Sequence, residues 1–71
     1  MNVAQVLQYL GESVSREKRP FEYSGLDGNT QASYNAVTWT DSRPKPSWQD
    51  IQQAEHHSIL WHNKRAWMEN N

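Results

Sequence analysis

Apolar residues recur at helical spacing over the first part of the chain. Asn2 is placed to cap this helix, Gln5 holds the capping-box position, and Gly11 is expected to end the helix or to fray it. The pattern predicts a helix over residues 1–12. The residues that form its apolar stripe are Val3, Val6, Leu7, Leu10 and Val14.

A two-residue period follows, as in a β-strand. Phe21 and Tyr23 fall on one face, and a second alternating run covers roughly residues 31–40. The Asp-Gly-Asn turn centred on Gly28 lies between the two runs and favours a tight hairpin, because these residues tolerate positive φ. The pattern therefore predicts a β-hairpin over residues 20–40, with positive φ at Gly28.

A stiff corner joins this hairpin to a long helix predicted over residues 47–69. Prolines hold their neighbours extended, and Ser47 can cap the helix, with Asp50 three residues later. We expect the two tryptophans of the corner to be largely buried and near one another. The structural residues of the corner are Trp39, Pro44, Pro46, Ser47 and Trp48.

The long helix carries apolar residues on two sides when it is projected at about 100° per residue. The broader arc is the predicted core face: Trp48, Ile51, Ala54, Ile59, Trp61, Ala66 and Met68. Leu60 and Trp67 lie on the other side, in line with His56 and Asn63. Two interpretations stay open: the helix loses order after about residue 63, or these four residues form a second stripe that binds another chain.

Composition is typical of one small domain with a limited core. The 71 residues include 35% hydrophobic residues, four Trp and no Cys. A core of this kind, built on few large side chains, often needs a partner to bury the remainder. The predicted fold is α+β: a short N-terminal helix, a two-stranded antiparallel hairpin, and a long C-terminal helix packed on the hairpin, in one domain over residues 1–71.

The sequence contains no recognisable catalytic or metal-binding motif. His56, His57 and His62 are one, five and six residues apart, whereas two metal ligands on one helical face need a spacing of three or four. Asp27 and Asp41 are expected in turns and loops rather than as a carboxylate pair. We therefore predict no enzyme activity, no metal and no cofactor.

Basic and aromatic residues near the hairpin raise the question of nucleic acid. Acidic residues are interleaved with the bases, and the net charge of −1 gives no general attraction to phosphate. A solvated connector is the favoured interpretation, and a small nucleic-acid-binding regulator is the alternative function. The basic residues are Arg16, Lys18, Arg19, Arg43 and Lys45, and the aromatic residues are Phe21, Tyr23 and Tyr34.

The order of these features resembles small phage tail proteins of the XkdW-like type, and more loosely proteins encoded beside tail-fibre genes. The matching features are a Ser-Arg connector, "Phe-Glu" opening a strand, "Asp-Gly-Asn", a strand ending in Trp39, and "Pro-Lys-Pro-Ser-Trp-Gln-Asp-Ile" entering a helix. The similarity covers roughly residues 4–55, so residues 56–71 lie outside it. It implies a bacteriophage or prophage tail protein without enzymatic activity.

We therefore expect a protein that binds a tail-fibre or baseplate polypeptide, either as an assembly chaperone or as an adaptor retained in the virion. The expected contacts are the second stripe of the long helix and the open hairpin edge, which offers unpaired amides to a partner strand. A homo-oligomer is a further option. No apolar run approaches the roughly 20 residues of a membrane span, so we expect the host cytoplasm during assembly, and the virion tail for an adaptor.

Overall fold

The computed structural model describes residues 1–69 and has a helix, a two-stranded sheet and a long helix in that order. The predicted α+β fold class is confirmed. The elements are α1 (Val3–Tyr9), a π-helical turn (Leu10–Val14), β1 (Tyr23–Ser24), α2 (Gln31–Asn35), β2 (Thr38–Trp39) and α3 (Trp48–Glu69).

Asn2 caps α1, as its position in the sequence predicts. Its side-chain oxygen accepts a hydrogen bond from the backbone amide of Gln5, 3.1 Å away. The amide of Val3 is satisfied from elsewhere, because it donates to the side-chain oxygen of Asn29 at 2.9 Å. Asn29 thus ties the loop before α2 to the start of α1.

Gly11 does not end the first helix. The chain continues past Tyr9 as a π-helical turn, in which the amide of Ser15 donates to the carbonyl oxygen of Leu10 at 2.7 Å. Gly11 is buried, and a Cβ atom there would lie 2.8 Å from the carbonyl oxygen of Arg19. Glycine is present because another backbone segment packs directly against it.

The two strands are antiparallel but do not form a tight hairpin. Tyr23 pairs with Trp39 and Ser24 with Thr38, so each strand is only two residues long. The predicted strand over residues 31–40 is wrong in its first half, which is helix α2. The predicted positive φ at Gly28 is also wrong, because the glycine with positive φ is Gly25, at 80°.

Local capping explains why the predicted strand begins as a helix. The side chain of Thr30 accepts from the amide of Ser33 at 3.2 Å, which satisfies one of the free amides of the first turn. The helix then directs Tyr34 into the core, where it is 1% exposed. The alternation of residues over this segment is therefore not a strand period in its first half.

α3 packs mainly on α1 rather than on the two short strands. The buried cluster takes three residues from α1, together with Tyr34 and Ile51. Partly buried aromatic residues of the strands and the corner surround it. The α1 residues are Val3, Val6 and Leu7.

Candidate interaction site

α3 begins with the predicted capping box. The amide of Asp50 donates to the Ser47 hydroxyl at 3.0 Å, and the amide of Ser47 donates to the Asp50 carboxylate at 3.1 Å. Both ends of the motif are satisfied, so the start of the helix is fixed at the corner. The helix then runs 22 residues, or about 33 Å at 1.5 Å per residue.

The inner face of α3 contacts α1 through polar and aromatic side chains. The Ser58 hydroxyl donates to the carbonyl oxygen of Gln5 at 3.3 Å, and Nε2 of His62 lies 2.9 Å from the same oxygen. The rings of Trp61 and Tyr9 are 5.8 Å apart. Beyond them a salt bridge joins Arg65 to Glu12, and the Arg65 guanidinium lies over the Trp61 ring.

This inner face corrects the predicted core arc. Ile51 is fully buried, and Trp48, Ala54 and Trp61 are partly buried, as expected. Three members of the arc are instead exposed: Ile59, Ala66 and Met68. Ser58 is buried on this face instead. Its hydroxyl donates a hydrogen bond to the carbonyl oxygen of Gln5 on α1, so burial of the hydroxyl costs little free energy.

The outer face of α3 holds the predicted partner-binding residues. His56, Leu60, Asn63 and Trp67 are all exposed and lie in line, three and four residues apart on one helix. Leu60 is 53% exposed and Trp67 is 67% exposed. Ile59 is 51% exposed and lies beside these residues on the surface of the helix. α3 remains helical to Glu69, past residue 63, after which the alternative interpretation expects the helix to lose its order.

At the corner, the two tryptophans pack on different aromatic residues. The Trp39 ring lies 4.9 Å from that of Phe21 and stacks on Tyr23 at 5.9 Å, whereas the Trp48 ring lies 5.9 Å from that of Tyr34. Both tryptophans are partly buried, which is less than predicted. Each therefore belongs to its own aromatic group, one on the strands and one beside α2.

Side chains from both sides hold the Pro44–Pro46 connector in place, in addition to its prolines. The indole Nε1 of Trp39 donates to the carbonyl oxygen of Arg43 at 2.8 Å, and the Tyr34 hydroxyl donates to that of Pro46. Between the prolines, Lys45 donates to the carbonyl oxygen of Tyr34 at 3.0 Å and lies over the Tyr34 ring. The corner therefore positions the first turn of α3.

A buried carboxylate immediately after β2 was not predicted. The side chain of Asp41 has no exposed surface. Its two oxygens accept hydrogen bonds from the amide and guanidinium of Arg43 at 2.8 Å, from the amide of Glu22 at 2.9 Å, and from Arg19 at 3.3 Å. The hydrogen bonds from the Arg43 side chain hold the pKa of the Asp41 carboxyl well below its usual range, although burial acts in the opposite direction.

Arg43 uses the rest of its guanidinium to bind the loop that follows the π-helical turn. It donates to the carbonyl oxygens of Arg19 and Pro20, both at 2.8 Å, and to the Ser15 hydroxyl at 2.9 Å. It also lies 4.2 Å above the Phe21 ring. Arg43 thus joins two loops that are distant in sequence.

This arrangement corrects the interpretation as solvated side chains for Arg43 and Lys45, whereas Arg16 and Lys18 are exposed, as expected of a solvated connector. The side chain of Arg43 is only 11% exposed, and Lys45 is partly buried against Tyr34. The sequence signal for the pair is an aspartate two residues before an arginine. That spacing does not distinguish a buried pair from a solvated one, so the pair could not be recognised from sequence.

An open apolar groove of about 510 Å³ lies between the π-helical turn, the corner and the first half of α3. Lys45, Asp50 and His57 lie among its polar lining residues. Its apolar walls come from Tyr9, Leu10, Val14, Phe21, Pro44, Pro46 and Ala54. The groove is a second surface at which another molecule can be accommodated, and it lies apart from the Leu60 and Trp67 side chains.

Neither a metal centre nor a membrane span is found in the described part of the chain. Within residues 1–69, no group of three or more His, Cys, Asp and Glu side chains is arranged to hold a metal ion. None of the helices in that range is both long and apolar enough to cross a membrane.

Comparison with known proteins identified no significant similarity. No protein-family model matches the sequence, and no significant match was found among curated proteins or solved structures.

Proposed function

We propose that this chain is a non-enzymatic protein that binds another polypeptide through the outer face of α3. The carrying observation is the exposure of Leu60 and Trp67 on one line of a helix whose opposite side is already packed on α1. Tryptophan is strongly enriched among residues that dominate binding energy at protein interfaces. Large aligned apolar side chains at a surface usually mark an interaction site.

The partner that we propose is a tail-fibre or baseplate polypeptide of a bacteriophage. The resemblance of residues 4–55 to XkdW-like tail proteins supports this choice, while the outer face supports the mode of contact. Both an assembly chaperone and an adaptor retained in the virion fit this proposal. Mass spectrometry of purified virions separates them, because only an adaptor remains in the particle.

Nucleic acid is the less favoured partner, because several of the basic side chains that could bind phosphates form contacts within the fold instead. Arg43 and Arg19 contact Asp41, and Lys45 contacts Tyr34. A salt titration tests this: binding to phosphates weakens steeply with salt, whereas binding through an apolar face does not.

The direct test is co-purification with the polypeptides that the neighbouring genes encode, where we expect a tail-fibre or baseplate polypeptide among those that bind. We expect Leu60→Ala with Trp67→Ala to weaken binding at least about 30-fold, which corresponds to about 2 kcal/mol. Met68→Ala is the matched control, because Met68 is 60% exposed on the same helix but lies off the face. Binding that survives the double variant would contradict the proposed face and direct attention to the sheet edge or the groove.

A further inference from the structure

The outer face of α3 has the spacing of a coiled-coil seam. Its central line alternates steps of four and three residues, which is the pattern that keeps one face of a helix against a partner helix. The seam residues are Gln49, Gln53, His56, Leu60, Asn63 and Trp67, and Gln52, Ile59 and Ala66 form the column beside them. All nine are exposed, and none is Asp, Glu, Lys or Arg.

The two halves of this seam differ in chemistry. The first half is rich in amides, with Gln49, Gln52 and Gln53, and the second half carries the large apolar side chains of Ile59, Leu60 and Trp67. Ile59 and Leu60 lie close to the middle of α3, so a second copy of the same helix can bring the two aliphatic pairs together. In an antiparallel pair, the amide-rich first half of each seam then lies along the second half of the other.

We propose that a second copy of this chain covers the seam in the free protein, with the two α3 helices antiparallel. In the symmetric register His56 of one copy faces Leu60 of the other, and Gln53 faces Asn63. Gln49 then covers Trp67 at each end. Ile59 and Leu60 of both copies then lie next to the two-fold axis, with each Leu60 beside His56 of the other copy, and the amides of Gln49, Gln53 and Asn63 lie towards the two ends. The aliphatic side chains are therefore central and the polar side chains peripheral, as in stable interfaces.

Charge favours the antiparallel direction. The flank of the seam contains Asp50, His57 and Lys64, and both charged residues are exposed. Antiparallel helices bring the same flank of each copy together, so Asp50 of one copy lies beside Lys64 of the other, and the two-fold axis repeats this pair. A parallel pair would instead place each charge beside the uncharged column of Gln52, Ile59 and Ala66. Opposite charges along the flanks of a seam set partner choice and orientation.

This inference is independent of the proposed function but shares its face. A tail-fibre polypeptide and a second copy cannot occupy the same seam together. Self-association therefore protects the apolar side chains until the partner displaces one copy. Addition of a partner polypeptide that binds the seam is therefore expected to replace the dimer of two identical chains by a complex of one chain with the partner.

Disulfide trapping tests the orientation, since the chain has no cysteine of its own. Gln53→Cys and Asn63→Cys are prepared as separate full-length proteins and mixed under mild oxidation. Residues that face each other across a seam come within the distance that a disulfide requires. We expect the mixture to give a disulfide-linked dimer of one variant with the other at least about tenfold faster than either protein alone links to itself. Faster self-linkage of each variant would show parallel helices, and an absence of linkage would show no pairing; either result overturns the proposal.

Sedimentation equilibrium tests the contact itself. We expect a dimer for the natural sequence and a dissociation constant raised at least about 30-fold by Leu60→Ala with Trp67→Ala. Lys64→Glu should weaken the dimer, because it replaces an attraction to Asp50 by a repulsion. Met68→Ala is the control and should leave the dimer unchanged. A monomer at every concentration overturns the dimer but leaves the tail-polypeptide experiment to decide the proposed function, and failure of that experiment does not affect the dimer.

Discussion

Two regions of this molecule place polar and apolar side chains contrary to the usual expectation. After β2, Asp41 and Arg43 are buried or nearly so, whereas the outer face of α3 exposes Leu60 and Trp67. A charged pair is thus inside the fold while an aliphatic residue and an indole are outside it. Hydropathy alone assigns both regions wrongly.

The difference shows what burial requires in each region. Asp41 can be buried because amides and guanidinium groups satisfy both of its oxygens, so its desolvation is offset. Leu60 and Trp67 stay exposed because the inner face of α3 is already occupied by α1. Hydrogen-bond satisfaction decides the first region, and the limited size of the domain decides the second.

The largest expected effect follows removal of the arginine. Arg43→Met keeps much of the side-chain length but leaves Asp41 buried without its main partner, and it removes the donors to the Arg19 and Pro20 carbonyls. Breaking a buried pair in this way is strongly destabilising, so we expect the variant to be unfolded at 25 °C. Lys64→Met, which removes an exposed cation at the flank of the outer face, should remain folded. Near-ultraviolet circular dichroism and thermal melts measure both, and a folded Arg43→Met protein would refute the structural role of the pair.

Acid should act on the same region. The pKa of Asp41 is lowered in the folded protein, so its contribution to stability is complete at neutral pH and is lost as pH falls from the unfolded value of 3.8 towards the lower folded value. We expect the melting temperature to fall steeply below about pH 4. Asp27→Asn, which changes a loop carboxylate away from the pair, should keep that acid transition. A melting temperature that stays flat down to about pH 2 would contradict the prediction.

Much of the fold was predictable because local signals and tertiary packing agree there. The caps at Asn2 and Ser47, the end of the second strand at Trp39, and the extent of α3 all follow from nearby residues. Signals that depend on distant partners were missed. Gly11 is explained only by the approach of Arg19, and the turn expected at Gly28 is replaced by a loop whose Asn29 binds the start of α1.

The candidate face was predictable in part for the same reason. Leu60 and Trp67 stand out by their helical position alone, so sequence places them with His56 and Asn63. Ile59 was assigned to the core, because sequence does not reveal that α1 contacts the column of Ser58 and His62 instead. The face is therefore wider than the sequence indicated.

Two isoleucines of α3, one buried and one exposed, allow the difference in packing between its two faces to be measured. Ile51 is fully buried and Ile59 is 51% exposed, and both substitutions to alanine change helix propensity equally. We expect Ile51→Ala to reduce the free energy of unfolding by about 2–4 kcal/mol. Ile59→Ala should change it by less than about 0.5 kcal/mol when the protein is monomeric. Urea denaturation at concentrations shown to be monomeric gives both values, and equal losses would mean that the faces are wrongly assigned.

Two glycines give a smaller contrast, and of the two it is Gly11 whose carbonyl oxygen lies 3.4 Å from the Arg43 guanidinium of the charged pair. A Cβ at Gly11 would lie 2.8 Å from the carbonyl oxygen of Arg19 and 3.1 Å from the amide nitrogen of Phe21, both backbone atoms. At Gly28 the nearest atom is the Ser33 hydroxyl at 3.3 Å, which can rotate away. We expect Gly11→Ala to cost about 1–3 kcal/mol and Gly28→Ala to cost no more than about 0.5 kcal/mol in urea denaturation. A larger cost for Gly28→Ala than for Gly11→Ala would contradict this prediction and would support the tight turn that the sequence pattern predicts at Gly28.

The smallest effect concerns Tyr34, which links the corner to α3 through its hydrogen bond to Pro46 and its ring contact with Trp48. Tyr34→Phe should cost about 1 kcal/mol, because one buried hydrogen bond is lost while the ring remains. Burial, and secondarily the charge of Asp50, raises the pKa of Tyr34 to about 12. The unfolded chain ionises at its ordinary value of 10.0, so stability is unaffected below that pH and falls between pH 10 and 12. Phenylalanine cannot ionise, so Tyr34→Phe should reduce this alkaline loss in melts from pH 8 to about 12. Burial also raises the pKa of Tyr23, so a smaller alkaline loss should remain in the variant. A loss that is as large in the variant as in the natural sequence would contradict the prediction for Tyr34.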